Sequence, residues 1–95
     1  MQTKGSVAIV TGATGGIGVP TVRALIAAGV DLALAAPQSE AHVLEQLVSE
    51  AASRGVRAIA VPTDVRRRED VDRLVQATLE AFQRIDALCN VAGIG

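Results

Sequence analysis

The sequence predicts an α/β protein: half of a doubly wound parallel sheet, β-α-β-α-β-α-β, with strand order 3-2-1-4. Three observations carry this. Four short apolar runs alternate with three stretches of helical period. The chain is 49% hydrophobic yet holds one Phe and neither Trp nor Tyr, so its core is built from Val, Leu, Ile and Ala, as in a buried parallel sheet. Finally, the first run leads into TGATGGIG at residues 11–18, a glycine-dense turn that opens a helix.

Each element has its own signal. Ser6 to Thr11 is an apolar run ending in the glycine turn. Ile17 to Ala28 places Val19, Val22, Leu25 and Ile26 on one side at helical spacing, with Pro20 in the first turn and Gly29 as the stop. Val30 to Ala36 is the second strand, closed by Pro37. Ser39 reads as an N-cap for a helix whose buried stripe is Val43, Leu44, Leu47, Val48 and Ala51, with Gly55 beyond its last turn. Val56 to Val61 is the third strand, stopped by Pro62. Glu69 to Gln83 carries Val71, Leu74, Val75, Leu79 and Phe82, the clearest helical period of the chain, and Ala87 to Val91 is a last short strand. Right-handed crossovers put the first two helices on one face and the third on the other. The winding reverses between strands 1 and 4, where a crevice opens at the strands' carboxyl ends.

Composition narrows the function classes. At 95 residues the chain is at most one small domain, which buries only about two-thirds of its unfolded surface. A net charge of −1 and a pI of about 5.7 give no footprint for nucleic acid or an anionic membrane. Arg66-Arg67-Arg68 is followed at once by Glu69-Asp70 and reads as a solvated helix entrance. A single cysteine, Cys89, permits no internal disulfide and no zinc cluster. His42 and Cys89 read as structural. No apolar stretch approaches a membrane span and no signal segment is present, so a soluble cytoplasmic protein is the expectation, with no metal site.

The glycines suit a pyrophosphate. A strand-to-helix turn aims backbone N–H groups and the positive end of the helix dipole at whatever lies above it. Gly12 permits a sharp exit from the strand, Gly16 leaves no side chain between main chain and ligand, and Gly18 lets the helix pack closely on the sheet. An ATP-type loop would need glycine at position 17 followed by lysine, but Ile17 stands there. The usual G-x-G-x-x-G fingerprint would need glycine at 21, which is Thr21.

What the residues spell is T-G-x-x-x-G-x-G, and it resembles the loop of the short-chain dehydrogenase/reductase family. Asp64-Val65, after the third strand, looks like that family's adenine-contacting pair. Residues 82–93, FQRIDALCNVAG, are similar to its F-G-R-I-D-x-L-V-N-N-A-G stretch, departing at Gln83, Cys89 and Val91. Together the matches span residues 6–95. The resemblance implies an NAD(P)-binding, Rossmann-type half domain over residues 1–95, truncated after the fourth strand. The implied cofactor-binding residues are Gly12, Gly16, Ile17, Gly18, Asp64, Val65, Asn90, Ala92 and Gly93. Asn90 is equally suited to tying strand 4 to its neighbours.

The family's hydride-transfer chemistry uses a Ser, a Tyr and a Lys, the last two spaced Y-x-x-x-K. This chain holds no Tyr; its only lysine, Lys4, precedes the first strand, and Ser6, Ser39, Ser49 and Ser53 all precede the segment where the family's serine falls. The expectation is the cofactor-binding part of an oxidoreductase, inactive alone and with no catalytic residue of its own. The alternative is a stand-alone nucleotide-binding or interaction module. NAD or NADP stays open: about 20 positions beyond the glycines, where an acid would hold the NAD ribose, stands Ala36, and Asp31 starts strand 2 at the wrong end. Self-association through the fourth strand, left as an edge, is expected as well.

Overall fold

The computed structural model describes residues 5–91. Four strands, β1 (Val7–Thr11), β2 (Asp31–Ala36), β3 (Ala58–Pro62) and β4 (Ala87–Asn90), form one parallel sheet in the order β3-β2-β1-β4. Helices α1 (Gly18–Ala27), α2 (Ala41–Ser53) and α3 (Arg68–Phe82) make the crossovers.

The alternation along the strands sorts the core into two layers. Ala8 and Val10 of β1, with Leu32, Leu34 and Ala36 of β2, pack against Val22 and Ile26 of α1 and Leu44, Leu47 and Ala51 of α2. Ile9, Ala33 and Ala35 face the other way, onto Leu74 of α3, with Ile59, Val61 and Ile85 around them. The first two helices thus share one face and the third covers the other, as the crossover rule requires. All of β1 is buried, whereas β4 exposes Ala87, Leu88 and Asn90. Leu88, opposite Ile9 in the register, is 63% exposed.

Two carboxylates fasten the amino ends of the strands. Asp31 accepts the backbone N–H of Arg57 at 3.0 Å, and Asp86 accepts that of Val7 at 2.8 Å. Asp31 therefore sits at the end of the sheet remote from the glycine turn, as its place at the start of strand 2 implies. Arg84 pairs with Asp86 at 2.8 Å, and its hydrogen bond, followed by that of Val7, holds the Asp86 carboxyl below the ordinary range.

Local details depart from expectation. Ser39 is not a helix cap: it lies inside a 3-10 turn, Gln38–Glu40, and α2 starts after Glu40 without a side-chain cap. The third strand begins at Ala58: the Arg57 carbonyl makes the first ladder bond, accepting the Leu32 N–H, while the Arg57 N–H goes to the Asp31 carboxylate. It runs through Pro62, which an edge strand tolerates since proline's missing donor falls at its end. The helix α3 ends on Gln83, which adopts the left-handed conformation (φ +66°) that glycine takes at such caps.

Candidate functional site

The chain leaves β1 through Gly12, whose φ of +65° turns it sharply upward. Ala13 still bonds to the sheet, donating its N–H to Ala35, and Gly15 closes the turn onto the Gly12 carbonyl at 3.2 Å. Among the described residues, the backbone N–H groups of Thr14, Gly16 and Ile17 have no hydrogen-bond partner. They stand at the N-terminus of α1, where the helix dipole is positive.

Gly16 and Gly18 have different reasons to be glycine. A Cβ on Gly16 would meet nothing within 4 Å, so its bareness keeps space open above the loop. A Cβ on Gly18 would collide with the Gly12 carbonyl oxygen and lie 2.8–2.9 Å from the Ala13 backbone. Gly18 is thus dictated by the turn folding onto itself rather than by a helix resting on the sheet.

Two cavities meet over this loop. The smaller, about 200 Å³, lies against Gly12, Gly15, Gly16, Ile17, Gly18 and Val91, at the reversal between β1 and β4. The larger, about 710 Å³, spreads over the carboxyl ends of β1, β2 and β3 and is lined by Gly12, Thr14, Ala36, Pro37, Gln38, Asp64, Val65 and Arg66, among others. Of the residues singled out in the sequence, Gly12, Gly16, Ile17 and Gly18 come together at the first, and Asp64 and Val65 at the second. Ala92 and Gly93 lie outside the described residues.

Asn90 lines neither cavity. Its Oδ1 accepts the Thr11 hydroxyl at 2.8 Å, joining the carboxyl ends of β1 and β4 directly beneath the loop. Of its two suggested duties, the tie between strands is the one this contact performs.

Asp64 is more elaborately held than its sequence position suggests. Its Oδ1 accepts both the backbone N–H and Nε of Arg66, its Oδ2 accepts Nη2 of the same residue, and all three distances are 3.0 Å. The Arg66 side chain, and secondarily its backbone N–H, keep the Asp64 carboxyl below the ordinary carboxylate range. The Asp64 N–H donates to Asp70 Oδ2 at 2.8 Å, and Arg73 holds Asp70 Oδ1 at 2.7 Å. Arg66, Asp70 and Arg73 all line the larger cavity. One sign of this is readable beforehand: an acid two residues before an arginine, at the entrance to a helix.

Comparison with known proteins agrees with this geometry. Residues 6–95 match the family model described as short chain dehydrogenase. A 3-oxoacyl-[acyl-carrier-protein] reductase from Synechocystis sp. is 43% identical over 88 residues, which is 93% of this chain and 35% of that protein. A short chain dehydrogenase/reductase from Burkholderia phymatum, crystallised in complex with NAD, superposes with a TM-score of 0.83 at 32% identity, over 93% of this chain and 31% of its own. A hydroxysteroid dehydrogenase from Escherichia coli gives a TM-score of 0.85 at 25% identity, over 94% and 37%. The chain thus spans about a third of the length of these relatives. With the family model matched from the first strand onward and the fold shared with both solved relatives, the chain belongs to the short-chain dehydrogenase family.

Proposed function

We propose that the two cavities form the adenosine and pyrophosphate part of an NAD(P) site, and that this chain is the dinucleotide-binding portion of an NAD(P)-dependent short-chain oxidoreductase. The observation that carries the reading is the loop itself. Gly12 in its left-handed conformation, open space above Gly16 and N–H groups at a helix N-terminus that have no partner among the described residues make a cradle for a diphosphate. A side chain at position 16 would fill that cradle, so the residues present fit the group. The Burkholderia relative's complex with NAD supports the same assignment.

In this reading the loop N–H groups hold the pyrophosphate, and Asp64 accepts the exocyclic amine of adenine beside Val65. A bound nicotinamide dinucleotide would supply the hydride. The end of β2, Ala36-Pro37-Gln38, offers neither an acid for the NAD ribose nor an arginine for the NADP phosphate, so NAD and NADP should bind with similar affinity.

The 95 residues contain no tyrosine, and their single lysine is Lys4. No Tyr–Lys pair is therefore available to move the substrate proton, and the chain alone should turn over no alcohol or ketone. The outer edge of β4, with Leu88 beside it, is the place where we expect copies of the 95-residue chain to pair. Calorimetric titration with NAD and NADP, alongside a turnover assay on an alcohol panel, tests the proposal. Binding without turnover is expected, and failure to bind either dinucleotide would refute it.

A further inference from the structure

The larger cavity is lined by four charged side chains, Asp64, Arg66, Asp70 and Arg73, all of them paired. The pairing decides which hydrogen bonds remain for a ligand. A carboxylate offers about four acceptor sites. On Asp64, Arg66 takes three: Nε and the backbone N–H on Oδ1, and Nη2 on Oδ2. The guanidinium fork lies along the edge where both carboxylate oxygens face outward together, and the single site left open is on Oδ2. Arg66 sits on the solvent side, with its side chain 87% exposed against 33% for Asp64.

This bears on the base. A bare carboxylate suits guanine best, because the ring N1–H and the amino group present two parallel donors to its two oxygens. Adenine presents one amine beside an acceptor nitrogen and can use only one oxygen. We infer that Arg66 is a specificity-determining residue for the base: it occupies the two-oxygen edge of Asp64 that guanine would need and leaves the single acceptor that adenine's amine can use. The inference rests on the dinucleotide reading, in which Asp64 meets the base. Arg66 acts through Asp64, so it is a positioning residue.

The test is calorimetric titration of the whole chain with ADP and with GDP. Wild type should favour ADP. In R66A the ADP-to-GDP affinity ratio should fall about tenfold, because GDP gains a second charge-assisted hydrogen bond, whatever change in affinity the two nucleotides share. R66K keeps the charge without the fork and should lie between. Adding D64N to R66A should cancel the gain of GDP, which a general loosening of the fold would not do. Since Arg66 is exposed and R66K retains its charge, at least one variant stays folded, as a thermal melt will verify. An unchanged ratio in both R66A and R66K, with ADP still bound, overturns the inference alone. Failure of the wild-type chain to bind ADP overturns the dinucleotide reading and the inference with it.

Discussion

Replacing Gly16 by valine separates binding from folding. A Cβ there meets nothing within 4 Å, and Gly16 is not among the glycines with positive φ. The stability change should therefore stay within about 0.5 kcal/mol, as for surface substitutions. The new side chain stands over the N–H groups of Gly16 and Ile17, which have no partner among the described residues. Hydrogen bonds to a charged group contribute about 1.5–3 kcal/mol each, so losing one strong or two weak ones costs about 3 kcal/mol, or roughly a hundredfold in Kd. Gly18→Ala is the contrasting control. Its Cβ runs into the Gly12 carbonyl and the Ala13 backbone, and overpacking of this kind costs about 1–3 kcal/mol. That corresponds to a fall of at least about 4 °C in Tm for a domain this small. Calorimetry with NAD and NADP, paired with thermal melts followed by circular dichroism, gives both quantities. A Gly16→Val chain that binds either dinucleotide within twofold of wild type, at an unchanged Tm, would show that the phosphates do not lie over this loop.

Further outcomes are expected elsewhere. Gln83→Gly should stabilise the chain by about 1 kcal/mol, since it relieves a left-handed residue at the end of α3; a lowered Tm would contradict this. Asp86, held below the ordinary range first by Arg84 and then by the Val7 N–H, contributes fully above its unfolded value of about 4. That contribution is lost as pH falls through the lower folded value. In urea titrations from pH 7 to pH 3, Asp86→Asn should flatten the acid loss of stability, and an identical pH profile would assign that loss to other groups. Leu88→Lys should reduce self-association in sedimentation velocity by placing a charge beside the open edge of β4; equal association by both chains would move the contact elsewhere.

The strand order and the division of the helices between two faces were legible because they follow from alternation and crossover handedness. Ile9 alternating with Ala8 and Val10 already encodes two layers. The positive φ of Gly12 and the open space at Gly16 were legible too, since a turn of this kind has few ways to admit a ligand. Other features were hidden because they depend on where side chains reach in space. Ser39 resembles a cap, but Pro37 leads the chain into a 3-10 turn first, and α2 starts without its help. Gly18 answers to the loop's own backbone, a contact that appears only once the turn is folded. The grip of Arg66 on Asp64 lay inside a basic run that composition alone marks as solvated surface. Asp86 fell within a recognisable stretch, yet nothing in that stretch says that its carboxylate holds the backbone of Val7.

That last contact also orders the assembly of the sheet. The Asp31–Arg57 tie joins residues 26 apart, whereas the Asp86–Val7 tie joins residues 79 apart. Closing the longer loop costs about 1 kcal/mol more in chain entropy. Strands β1, β2 and β3 can therefore associate as a contiguous unit while β4 is still free, and β4 is expected to dock last onto an exposed flank of β1. During synthesis β1 waits with one edge uncovered until residue 86 has emerged. The strand expected to arrive last, four residues long with three of them exposed, is also the one expected to leave first, with opening of the native sheet starting at the β1–β4 seam.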